Sequence, residues 1–170
     1  MNLYVIRHAD ALPADAPGVT DDAARPLSPE GKRQAAQLAA WLKAISVQFD
    51  QIVTSPLARA LQTAEELARN LQLPAASVVK SPALAPGKAT RKLAKLLLKL
   101  DGQNIALVGH EPDLSELTAW LLGSKKTQLE FAKAGVACWP DAPRTRKAAR
   151  FFSVFNLPAD LGPGRRSDGV

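Results

Sequence analysis

The chain has 170 residues, 46% of them apolar, and 22 Lys and Arg against 16 Asp and Glu give a formal charge of +6. That length suits one domain with a sizeable core, no apolar run approaches the roughly 20 residues that cross a bilayer, and a single cysteine, Cys138, excludes an internal disulfide. A cytoplasmic protein without a membrane partner is expected, and the basic excess suits an anionic ligand.

Leu3 to Ile6 is short, apolar and β-prone, the pattern of a buried first strand. With no basic segment ahead of it and no small-residue cleavage site, it does not read as a signal peptide. Residues 11–26, rich in Pro, Ala and Asp, read as a loop. Ser28-Pro29-Glu30 starts a helix, because it joins a hydroxyl cap, a proline at the first helical position and a carboxylate in the first turn. Ala35, Leu38, Ala39, Leu42 and Ile45 continue it at helical spacing.

Gln51 to Thr54 is a second strand, and Leu57, Leu61, Ala64, Leu67 and Leu71 predict a helix behind it, with Ser55 as its cap. Val78-Val79 is a short strand, Pro82 to Pro86 a loop, and Leu93, Leu96, Leu97 and Leu100 mark an amphipathic helix. Ile105 to Val108 is the clearest strand, apolar on both faces. Leu114, Leu117, Thr118 and Leu121 form a further helix, and Val136 to Trp139 and Phe151 to Phe155 two closing strands. This alternation predicts a three-layer α/β/α sandwich around a mainly parallel sheet. One domain over 1–160 and a flexible tail over 161–170 are expected.

The only two histidines each follow directly on a predicted strand, in Arg7-His8 and Gly109-His110. Parallel α/β sheets bind ligands at the carboxyl ends of their strands. A third strand runs into Ser55-Pro56 and the first helical turn that carries Arg59. Three strand ends thus deliver two histidines and two arginines toward one place.

These segments resemble a family. Arg7-His8-Ala9-Asp10, Arg25-Pro26-Leu27-Ser28, Ser55-Pro56-Leu57-Ala58-Arg59-Ala60-Leu61-Gln62-Thr63 and Gly109-His110-Glu111-Pro112 are similar to the ordered motifs of the histidine phosphatase superfamily. The short length and the Arg-His-Ala-Asp opening are most similar to its SixA-type phosphohistidine phosphatases. The resemblance runs from Met1 to about Leu122. It implies a phosphoglycerate mutase-like fold and a phosphatase without metal or organic cofactor. The expected substrate is a phosphorylated protein, such as a histidine phosphotransfer domain, or a small phosphorylated molecule.

The roles also follow from chemistry. Planar guanidinium groups bind phosphoryl oxygens with paired hydrogen bonds, so Arg7 and Arg59 are the expected clamp and Arg25 a third contact. Crowded positive charge would keep His8 unprotonated and able to attack phosphorus. His110 would donate to the equatorial oxygens, and water would hydrolyse the phosphohistidine intermediate.

A proton donor is the missing piece. Larger relatives supply a carboxylate between the Ser-Pro-x-x-Arg and Gly-His motifs, whereas Leu67 to Leu100 contains no Asp or Glu and Ala83 stands where an acid is expected. That favours a phosphoramidate such as phosphohistidine over an ester, whose alkoxide must be protonated. Asp10 and Glu111 are fallback donors, each with a loop or cap role as the plainer account.

Competing signals are weaker. Two histidines and one cysteine make no convincing zinc site. Cys138 and Arg144 have the spacing of a cysteine-phosphatase loop, but Pro140 and Pro143 remove amide donors and Asp141 repels phosphate; Cys138 reads better as a small buried residue at a strand end. Ser55 lacks the Gly-x-Ser-x-Gly elbow of a nucleophilic serine. Trp41, Trp120 and Trp139 do not alternate with basic residues, so nucleic acid is not an expected partner, and Arg144 to Arg150 reads as solvated surface. Three other functions stay open: a small-molecule phosphomonoesterase using Asp10 or Glu111, a mutase, and a non-catalytic phosphate-binding module.

Overall fold

Along the first strand Tyr4 and Ile6 pack into one hydrophobic cluster and Leu3 and Val5 into another. Side chains of a strand alternate between the faces of its sheet, so this split defines two cores and three layers. The computed structural model describes residues 1–88, 90–124, 129–142 and 153–155. Ten elements follow in order: β1 (Asn2–Arg7), α1 (Pro29–Ala44), β2 (Gln51–Thr54), α2 (Ala58–Asn70), β3 (Val78–Lys80), α3 (Thr90–Leu97), β4 (Asn104–Gly109), α4 (Asp113–Leu121), β5 (Val136–Trp139) and β6 (Ser153–Phe155). Short 3-10 turns cover Ala75–Ser77 and Pro82–Leu84.

The strand order is β3-β2-β4-β1-β5-β6. β3, β2, β4 and β1 are parallel, whereas β5 runs antiparallel to both β1 and β6. The expected α/β/α sandwich is therefore present with a mixed sheet. β4 lies at its centre, and Ile105, Ala106, Leu107 and Val108 are fully buried, as their unbroken apolar run requires. Helices α1 and α2 cover one face through Leu38, Leu42, Ala64 and Leu67, and α3 and α4 cover the other through Leu93, Leu97, Leu117 and Leu121.

The start of α1 is built as its sequence implies. Ser28 Oγ accepts from the Gly31 N–H at 3.0 Å and donates to the Asp10 carboxylate at 2.7 Å. A side chain on Gly31 would put its Cβ 1.9 Å from the Asp10 carbonyl oxygen, so only glycine permits this approach. The helix is thereby pinned to the segment that leaves β1. Among the described residues no helix is long and apolar enough to cross a membrane. Phe151 and Phe152, the expected tail over 161–170 and the basic segment Arg144 to Arg150 lie outside the described residues.

Candidate active site

Arg7 ends β1 opposite Gly109, which ends β4. The next residues, His8 and His110, therefore leave adjacent parallel strands side by side. The His8 N–H continues the ladder onto the Gly109 carbonyl at 3.0 Å. Their ring centroids lie 5.0 Å apart with planes tilted by 55°. Both rings are nearly inaccessible to solvent. The convergence expected from strand ends is thus present at contact distance.

His8 is held in one tautomer. Its Nδ1 lies 2.7 Å from the Ala9 carbonyl oxygen, which can only accept, so Nδ1 carries the hydrogen and Nε2 keeps its lone pair. Burial pushes its pKa from 6.5 down to about 3, with Lys133, His110 and Arg59 adding positive charge and the Ala9 bond opposing the shift. The ring is neutral at physiological pH, as expected, but desolvation outweighs the cation crowding that the sequence suggested. Thr63 fixes the same segment: its hydroxyl accepts from the Ala9 N–H at 3.0 Å and donates to the Arg59 carbonyl at 2.7 Å.

His110 is also neutral, lowered to about 4 by burial first and then by Arg59. Its Nε2 lies 2.8 Å from Ser55 Oγ, while its Nδ1 is buried without a partner among the described residues. The Leu57 N–H reaches Ser55 Oγ at 3.3 Å, but Leu57 itself occupies the N-cap position of α2 and offers no side-chain cap. The expectation that Ser55 caps the helix is corrected accordingly: this fully buried hydroxyl serves His110.

Arg59 is buried in the first turn of α2. Its Nη1 donates to the Asp22 carbonyl at 2.6 Å and its Nη2 to the Asp22 carboxylate at 3.0 Å. The Arg7 Nη1 donates to the Phe131 carbonyl at 2.6 Å, and its buried Nε has no partner among the described residues. Arg25 spends its Nε on the Leu12 carbonyl at 2.7 Å and its Nη1 on Asp22 at 2.9 Å. Asp22 therefore joins two of the three arginines, and their hydrogen bonds hold its carboxyl below the usual carboxylate range, Arg25 first.

The fallback acids are committed elsewhere. Asp10 accepts from the Ser28 hydroxyl, and the Glu111 carboxylate lies 2.6 Å from Ser115 Oγ and accepts from the Phe131 N–H at 3.4 Å. Ala83 stands in the Pro82–Leu84 turn, and Leu84 from that turn packs near Gly109. Cys138 is half-buried within β5, not at its end, and burial raises its thiol pKa, which disfavours a reactive thiolate. Its proposed companion, Arg144, lies outside the described residues. Among the described residues no group of three or more His, Cys, Asp or Glu is placed to hold a metal.

Sequence reasoning missed Asp22, Thr63 and Lys133. Asp22 and Lys133 sit in segments without periodicity, and Thr63 reads as one more helical residue. Only the proximity of Asp22 to Arg25 offered a signal.

The family model for the histidine phosphatase superfamily, branch 1, matches residues 3–85, a span that holds Arg7, His8, Arg25 and Arg59. Phosphohistidine phosphatase SixA of Escherichia coli K12 is 32% identical over 124 residues, which cover 71% of this chain and 74% of that protein. An uncharacterized protein of Picosynechococcus is 36% identical over 144 residues, 80% of this chain and 82% of its own length. Among solved structures, the protein histidine phosphatase SixA complexed with tungstate matches with a TM-score of 0.68 at 29% identity, covering 81% of this chain and 86% of that one.

Proposed function

Since the chain belongs to the histidine phosphatase superfamily, we propose that it removes phosphate from a phosphohistidine side chain of a signalling protein by way of a phosphoryl group carried on His8. The observation that carries this reading is the His8 ring, neutral and with Nδ1 fixed on the Ala9 carbonyl, so that Nε2 is left as the nucleophile.

His8 Nε2 attacks phosphorus, and the bond to the substrate imidazole breaks with its electron pair passing to that ring, which takes a proton from solvent. Water then attacks the phosphoryl-His8, the P–N bond breaks, and orthophosphate leaves with neutral His8 restored. Arg7 and Arg59 balance the charge on the equatorial oxygens, with Arg25 outside them. With the Ser55 hydroxyl donating to His110 Nε2, the single hydrogen of that ring would sit on Nδ1, which has no partner among the described residues, and Nδ1 would donate to a phosphoryl oxygen. The step needs no metal, because the guanidinium groups supply the positive charge.

Commitment of both Asp10 and Glu111 favours a phosphoramidate over an alkyl ester, since neither carboxyl is free to protonate an alkoxide. The name of the similar Escherichia coli protein supports the same substrate class. The phosphorylated protein expected as partner is a histidine phosphotransfer domain.

The test mixes the protein with a phosphorylated histidine phosphotransfer domain or an alkyl phosphate and quenches within the first turnover. Phosphate on His8 and faster consumption of phosphohistidine are expected, and His8→Ala should lose at least ~10³-fold in turnover. Label on Cys138 or Ser55, or faster cleavage of the ester, would reject the proposal.

A further inference from the structure

Between Leu129 and β5 the chain passes over the Arg7-His8 segment as a strap. Arg7 holds it twice, by its Nη1 on the Phe131 carbonyl at 2.6 Å and its backbone N–H on the Gly135 carbonyl at 3.0 Å. The Ala134 N–H meets the His8 carbonyl at 3.4 Å. Glu111 and Ser115 anchor the outer end, with Ser115 Oγ 2.6 Å from the Leu129 carbonyl. Ala134 stands at φ +55°, a left-handed conformation that a non-glycine residue keeps only where its surroundings hold it.

Lys133 lies in the middle of this strap, half-buried. Its ammonium acts on both imidazoles. It also lies within electrostatic reach of Arg7, Arg25 and Arg59. Those arginines have carbonyl or carboxylate acceptors, whereas Lys133 makes no hydrogen bond or ion pair among the described residues. Asp10 is the carboxylate within reach, and it faces Ser28.

We propose that Lys133 is a phosphoryl-binding residue, whose ammonium takes an oxygen of the group transferred to His8 and so completes the cationic cage with Arg7 and Arg59. The proposal rests on the phosphatase reading above and extends it to a residue outside the four motifs. Burial first and then Arg7 lower the proton affinity of this lysine, with Asp10 opposing and Arg25 and Arg59 adding to the shift, so positive charge outweighs negative around the ammonium. A phosphoryl dianion between them would reverse that imbalance. The strap would then act as the fourth wall of the site, and its backbone bonds to Arg7 and His8 would set where the ammonium stands.

Binding of orthophosphate to the full chain, measured at equilibrium, separates this inference from the reaction. Lys133→Met should weaken phosphate binding by roughly 10- to 100-fold, the range for loss of a charge-assisted hydrogen bond. Lys133→Arg should fall between it and the parent, and Lys133→Gln provides a second neutral variant should the methionine chain fold poorly. In the parent, the NMR titration of the Lys133 side chain should move upward when phosphate binds. Unchanged affinity in a folded neutral variant, or a titration that ignores phosphate, overturns the assignment. A parent that binds phosphate through Lys133 but never labels His8 would instead defeat the phosphatase reading.

Discussion

Asp22 grips Arg59 at two points, through its backbone carbonyl at 2.6 Å and its carboxylate at 3.0 Å. The same carboxylate accepts from Arg25, although its side chain is 59% exposed while that of Arg59 is 8% exposed. The backbone brings this about: the Ala58 N–H at the start of α2 donates to the Ala23 carbonyl at 2.9 Å, which docks the loop on the helix. Asp22 thus orients a buried guanidinium and also presents it with an internal anion.

In the proposed reaction an arriving phosphoryl group would share Arg59 with that carboxylate, so the two residues should respond oppositely to substitution. Arg59→Ala removes charge-assisted bonds and should weaken phosphate inhibition by ~10- to 100-fold. Asp22→Asn keeps the carbonyl contact but removes a competing charge, and should strengthen phosphate inhibition by about 3- to 10-fold at low salt. Inhibition constants for orthophosphate measured across both variants check this. Weaker inhibition in Asp22→Asn would mean that orientation of Arg59 outweighs competition.

Both imidazoles should make the protein acid-sensitive well above the carboxylate range. Free imidazole titrates near 6.5, whereas His8 is pushed down to about 3 and His110 to about 4. As pH falls below the unfolded value, the unfolded chain takes up protons that the folded chain refuses, so stability declines through that window. It levels off only once the folded rings accept protons. Denaturant midpoints should fall between about pH 7 and about pH 5, and His8→Asn should flatten that slope. In the same range kcat/KM, corrected for ionisation of the substrate, should show no loss centred near the ordinary histidine pKa.

Ser55 is buried, and its hydroxyl is the one hydrogen-bond partner of the His110 ring among the described residues. Ser55→Ala should cost about 1–3 kcal/mol of stability, because a buried ring nitrogen loses its only bond. Turnover should fall by about 10-fold or more with little change in KM, since the ring would lose its orientation and not its place. Urea unfolding and steady-state kinetics on the same variant measure both. Unchanged turnover would remove Ser55 from any positioning role.

The strands and helices were legible because their residues repeat. Leu3 to Ile6 and Ile105 to Val108 are continuous apolar runs, and Ser28-Pro29-Glu30 carries its own start signal; each became the element it suggested. The meeting of His8 with His110 was legible too, because parallel strands present their carboxyl ends on one edge. The partner of Ser55 was not, since local spacing favours the cap, whereas His110 arrives from a strand far along the chain. The antiparallel course of β5 likewise depends on a return path that periodicity does not encode.

By itself, then, the amino-acid order determined the layered α/β architecture and the gathering of Arg7, His8, Arg59 and His110 at one edge, because both follow from short-range patterns and strand polarity. Tertiary structure alone decided which charges face one another: Asp22 on Arg59, the Lys133 strap across His8, and Glu111 bonded to the Phe131 N–H of that strap. Those contacts join residues from irregular segments, where no repeat constrains the path and only the packing of the assembled layers fixes it.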